Sequence, residues 1–177
     1  MASTMSSYIP TNGAAATRAA ETLTAPSANL PWGSAVSIQM EGTMTYADEG
    51  VSYQHKPINW EDDSSNLIRW STFTDGARTG LILFDQIVGG VADNVQTGDT
   101  AYSPGINVPF NIASRHGSTF INGAVDGTAL TEDTTPVALP DLSSTDLQIG
   151  FDFMGTIKTL RIWSDDIGDT GLEQSTS

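Results

Sequence analysis

From Ala35 to Tyr46 the chain alternates strictly: Val36, Ile38, Met40, Gly42, Met44 and Tyr46 fall on one parity, Ala35, Ser37, Gln39, Glu41, Thr43 and Thr45 on the other. A period of two predicts a β-strand with one face in the core and one in water. The pattern returns in Ile106, Val108, Phe110 and Ile112 against Asn107, Pro109, Asn111 and Ala113. Pro109 has no N–H to give a neighbouring strand, so this second strand is expected to lie at an edge or to bulge there.

"NLIRWSTF" (66–73) and "LILFDQIV" (81–88) are apolar on both parities, as in strands covered on both faces. The segment between them, "GAR" followed by Gly80, has turn chemistry, so the two read as a central hairpin. In "FINGAVDG" (120–127) the Asn122-Gly123 pair suits a two-residue type I′ turn, because both residues tolerate positive φ. "DLQIGF" (146–151) and "GTIKTLRIW" (155–163) supply two more strands; Ile157 is out of phase with Leu160 and Ile162, which predicts a bulge. No segment forms a convincing amphipathic helix of ten residues or more. Several short strands separated by Gly, Asn, Asp and Pro turns describe an all-β antiparallel sandwich or jelly roll.

Residues 1–34 break the pattern. They are rich in Ala, Thr, Ser, Pro and Gly, carry Glu21 as their single acidic residue, and read as an N-terminal arm leading into a domain over 35–177. "AAATRAAETL" is open to two readings, a short helix on its Ala content or an extended segment packed on a neighbour. Trp32 in "NLPWGS" is placed to anchor the arm.

Composition narrows the function. The 177 residues suit one domain able to bury a core without metal or disulfide, and the absence of cysteine removes thiolate metal sites and cysteine nucleophiles. A net charge of −14 repels phosphates and anionic membranes, so neither nucleic acid nor membrane insertion is expected. The most apolar window, Gly80 to Ala92, is broken by Asp85 and Gln86 and is too short to span a bilayer. "MASTMSSYIPTNG" lacks the basic start and apolar core of an ordinary signal peptide.

Two sets of motifs carry a resemblance. "FINGAVDG", "LQIGF" and "GTIKTLRIWSDDIGDTGLEQS" resemble, in order, the hairpin, the strand and the closing strand and helical turn of concanavalin A-like, laminin-G-like jelly rolls. Asp166-Ile167-Gly168-Asp169 replaces the usual Leu-Ser-Asp, while Leu172-Glu173 keeps the register of the terminal helical turn. "SSYIPTNGAAATRAAETL" (6–23) resembles a motif that recurs in bacteriophage tail and other virion proteins, with Glu21 where Asp is usual. Together they imply a concanavalin A-like antiparallel β-sandwich with an extended N-terminal arm, in a phage structural protein located in the virion.

Such folds include glucan hydrolases, whose E-x-D-x-x-E strand supplies a nucleophile and a general acid. Glu61-Asp62-Asp63-Ser64-Ser65-Asn66 comes nearest, but Asn66 cannot donate a proton, and the stretch reads as a turn before Leu67. His55 and His116 have no second ligand at metal spacing. Arg115-His116-Gly117 reads as the polar tip of a hairpin, and Ser114 and Ser118 near His116 lack a nucleophile elbow. The acidic pairs Asp48-Glu49, Asp62-Asp63, Asp93 with Asp99, and Asp165-Asp166 read as solvated turns, with calcium open as their one plausible cofactor.

Sugar recognition calls for an aromatic plate and polar groups that grip hydroxyls. Trp60 with Asn59, Asp62, Tyr53 and His55 is the best such cluster, in a segment from Asp48 to Ser65 that looks irregular and exposed; Trp70 and Trp163 read as core. The expectation is therefore a non-enzymatic virion protein. Its arm joins other virion proteins, its sandwich binds a host-surface glycan, and weak single sites favour a homo-oligomer. A purely structural decoration or connector protein and a glycan hydrolase stand as alternatives.

Overall fold

The computed structural model describes residues 23–46, 54–98, 101–102, 105–151 and 153–177. Two antiparallel sheets stack face to face. The six-stranded sheet has the order β1 (Leu23–Ala25), β10 (Leu147–Phe151), β3 (Gln54–Asp63), β4 (Asn66–Phe73), β5 (Ile82–Val88), β6 (Val91–Gln96). The five-stranded sheet has the order β11 (Gly155–Trp163), β2 (Ala35–Tyr46), β7 (Gly105–Gly117), β8 (Ile121–Val125), β9 (Thr128–Ala129). One short helix, α1 (Gly168–Thr176), closes the chain.

The core lies where the alternation places it. Val36, Ile38 and Met40 of β2 and Ile112 of β7 face Ile58, Trp60, Ile68, Trp70, Ile82 and Phe84 of the opposite sheet, all fully buried. The β4–β5 hairpin forms as expected, with Trp70 opposite Phe84. In β11 the register shifts between Ile157 and Thr159, which is the expected bulge. Pro109 pairs only with Thr43 of β2, because β8 begins its pairing with β7 at Ile112; the proline sits on an overhang that is locally an edge.

Four expectations are corrected. Asn122-Gly123 is not the turn: both residues lie inside β8, and the reversal falls at Asp126-Gly127, whose φ of 46° and 81° form the type I′ pair. Gly123 is needed for another reason, since a Cβ there would come within 2.3 Å of the Phe84 ring. The stretch from Gln54 to Asp63 is a regular strand, so the segment around Trp60 is not irregular. The packed unit also reaches back before Ala35: Leu23–Ala25 pairs with β10, and Trp32 meets Trp60 edge-on at 5.1 Å, so Trp32 does anchor this stretch. Finally, β7 continues through Arg115, His116 and Gly117, and these are buried strand residues rather than a polar tip. The virion-like motif of 6–22, the helix-or-extended question over most of "AAATRAAETL", Asp48-Glu49, Tyr53 and Asp99 lie outside the described residues.

On the outer face of the five-stranded sheet α1 covers β7, β8, β9 and part of β2. Leu172 is fully buried against Ala113 and Ala124, whose small side chains leave room for it. Arg115, only 6% exposed, fastens the helix: its guanidinium donates to Asp169 (2.9 Å), Asp166 (3.1 Å) and Glu132 (2.9 Å), and it lies over the Phe120 ring. Burial opposes its charge, but these carboxylates outweigh that and raise its pKa above the ordinary arginine value.

Candidate functional site

Because Ile58 and Trp60 point into the core, Asn59 points out of the six-stranded sheet, and the pairing carries this phase across every strand. Thr24, Gln148, Asn59, Arg69, Asp85 and Asn94 stand opposite one another in turn. At ~4.8 Å per strand this is a polar row roughly 24 Å long on the outer face. The row is cross-linked. Asn59 Nδ2 donates to Glu61 Oε2 (2.9 Å) and Gln148 Oε1 (3.3 Å), and Arg69 donates through Nε (3.1 Å) and Nη2 (2.7 Å) to Asp85 Oδ2.

The electrostatics of the pair are unequal. The Asp85 side chain is nearly buried, and burial pushes its carboxyl pKa up; the bond and charge of Arg69 pull the other way without restoring the ordinary value. Asn59 Oδ1 and Ser71 Oγ, on the same face, are shielded from water and have no hydrogen-bond partner. Buried polar atoms left so cost stability, and being shielded they are not contact points for a ligand on this face. Past Asn94 the row opens into a groove of about 550 Å³ at the β6 edge, lined by Asn94, Gln96, Leu130, Glu132 and Asp133 among others.

The sugar cluster expected from sequence is not brought together. Trp60 is fully buried, and its indole N–H donates to Thr145 O (2.8 Å), so it offers no plate to a sugar. His55 lies half-buried in a small recess between the sheets with Met44, Thr72 and Phe153. Asp62 is exposed at the end of β3; Asn59 alone joins the polar row. Asp63 Oδ1 accepts from Ser65 N (2.7 Å) and Asn66 Nδ2 (3.2 Å), so the acidic stretch serves to shape the β3–β4 turn. Trp163, expected in the core, is half-buried on the outer face of β11.

Ser114 and His116 do meet, at 2.8 Å, deep between the sheets. Trp70 Nε1 donates to Ser114 Oγ (2.7 Å), and His116 Nδ1 lies 3.3 Å from Gln86 Oε1, whose Nε2 donates to Gly117 O and Ala138 O. Only one proton arrangement satisfies the whole chain: Ser114 O–H donates to His116 Nε2, and Nδ1–H donates to Gln86. The imidazole is neutral, and burial lowers its pKa to about 3. These groups form a sealed strut between the sheets with no route to a substrate. Among the described residues no three His, Asp or Glu side chains gather as metal ligands, and no helix is long and apolar enough to cross a membrane.

Sequence reasoning missed Arg69, Asp85, Gln148 and Asn94. A signal was present: Arg69 and Asp85 are lone opposite charges in two otherwise apolar strands of one hairpin, which antiparallel pairing can set face to face.

No protein-family model matches the chain, and no curated protein sequence matches it. Solved structures do. Sheep galectin-11 in complex with glycerol aligns with a TM-score of 0.51 at 10% identity, covering 84% of this chain and 100% of that one. The heptameric SAP-like pentraxin of Limulus polyphemus aligns at 0.61 and 7% identity, covering 84% and 72%. Botulinum neurotoxin type C, whose cell entry depends on interaction with two ganglioside molecules, aligns at 0.56 and 8% identity, and a leech intramolecular trans-sialidase at 0.59 and 16%. The match spans 35% of the toxin chain and 23% of the trans-sialidase chain. The sandwich is thus a concanavalin A-like jelly roll.

Proposed function

We propose that this chain is a non-enzymatic glycan-recognition module that holds an oligosaccharide along the outer face of its six-stranded sheet. The carrying observation is the row Gln148, Asn59, Arg69, Asp85, Asn94, in register over five adjacent strands. Sugar hydroxyls both donate and accept, and here amides, a guanidinium and a carboxylate recur at each strand spacing on a rigid scaffold. The likeness in fold to a galectin and to a toxin that meets gangliosides supports the reading.

A polar grip without a stacking plate is weak at one site, which favours several copies acting together on a cell surface. The placement of the module on a virion, with residues before Leu23 joining it to other virion proteins, rests on the resemblance of the 6–23 segment. Leu23–Ala25 pairs at the edge of the same sheet that carries the row.

A glycan array tests the reading. Binding by the wild type should fall at least tenfold in the double variant Arg69→Leu with Asp85→Leu, which leaves no charge stranded, and several-fold in Gln148→Ala. An array that stays blank, or variants that bind as well as the wild type, would overturn it and leave the decoration or connector role standing.

A further inference from the structure

On the outer face of the other sheet, α1 packs against β7, β8, β9 and part of β2. Between the helix and β11 an open pocket of about 480 Å³ remains, lined by Arg161, Trp163, Ile167, Gly171, Gln174 and Ser175. Leu160 and Ile162 pack toward the core, so Arg161 and Trp163 stand on the outward phase of the strand.

Arg161 stands apart from the other described arginines. Arg69, Arg78, Arg115 and Lys158 each have a carboxylate within 3.1 Å. Arg161 has none among the described residues; its Nη1 donates only to Gln39 Oε1, at 3.3 Å. The carboxylate nearest along the sheet, Glu41, is held by Lys158 Nζ at 2.5 Å, and Asp166 is held by Arg115. An exposed guanidinium with donors to spare therefore sits beside an indole at the mouth of a pocket. Arginine pairs with carboxylates through parallel N–H bonds, and an indole accepts the apolar face of a pyranose ring. The long-range repulsion of an anion by the −14 chain is screened beyond ~8 Å at physiological salt, so the local pairing decides.

We propose that this pocket is a second binding site, for a sugar that carries a carboxylate, a sialic or uronic acid unit. The carboxylate accepts from Arg161, the ring lies against Trp163, and Gln174 and Ser175 meet hydroxyls. The site is separate from the polar row and does not depend on it.

The assigned indole N–H resonances of the full chain provide the test: Trp60 and Trp70 donate to Thr145 O and Ser114 Oγ in the core, Trp32 lies edge-on against Trp60, and these three serve as references for Trp163. Millimolar 3′-sialyllactose or methyl glucuronide should shift the Trp163 signal, and lactose should not; whichever acidic sugar acts identifies the source of the carboxylate. Arg161→Gln should weaken the response roughly tenfold, with Arg161→Lys between the two. Gln148→Ala should leave it unchanged, so failure here and failure of the polar row are distinguishable. A response to lactose equal to that of the acidic sugars, an unaltered Arg161→Gln titration, or no shift with either acid would overturn the proposal.

Discussion

His116 makes the stability of the molecule depend on pH. Its imidazole is neutral in the fold, with a pKa of about 3 against 6.5 for the free group. Below pH 6.5 the unfolded chain takes up a proton that the native chain refuses, so the contribution is complete above 6.5 and is lost as the pH falls toward 3. The expected slope is about 1.4 kcal/mol per pH unit inside that window. Urea denaturation at pH 7.5 and 5 should show it, and His116→Gln should flatten the difference whatever its own stability. Gly123 makes a second demand at this scale. Gly123→Ala drives a Cβ into the Phe84 ring, itself held edge-on against Trp70 at 5.6 Å, and should cost about 1 to 3 kcal/mol in the same assay.

Among the elements, α1 is fastened by one buried apolar side chain, Leu172, by the buried Thr176 hydroxyl, which accepts from Gly127 N (3.0 Å), and by the Arg115 cation. Leu172→Ala should destabilise the fold by about 2 to 5 kcal/mol, read as a lowered melting temperature with the sheet signal in circular dichroism retained below it. Strands β2, β4 and β5 were legible in the chain, because alternation in the first and the doubly apolar runs of the other two report directly on which faces are covered; β3 was not. The turn of the β8–β9 hairpin was not. Asn122-Gly123 and Asp126-Gly127 carry nearly the same local chemistry, and it is tertiary contacts, the pairing with Arg115 and Ser114 of β7, the Phe84 ring and the bond from Asn122 Nδ2 to Asp169 Oδ1 (2.7 Å), that set the first pair inside a strand.

At the scale of the whole molecule, two sheets present two unlike outer faces. One carries the polar row and the groove at the β6 edge; the other is largely roofed by α1, with the Arg161 pocket left at its margin. The candidate site was only partly legible. Asn59 was singled out, but as a neighbour of Trp60 on one surface, whereas consecutive strand residues face opposite ways and the tryptophan went to the core. The row joins side chains as distant in sequence as Asn59 and Gln148, and such meetings depend on strand order and register.

What the linear pattern settles is therefore what depends on near neighbours in the chain: β2, β4 and β5 with their inward residues, the bulge in β11 and the acidic, cysteine-free composition. Tertiary structure alone decides which polar residues stand side by side, because a register shift of one residue would turn every outward side chain inward. It also decides that Arg115 is caged by carboxylates while Arg161 meets only the Gln39 amide among the described residues, since no local rule in the sequence tells those two arginines apart.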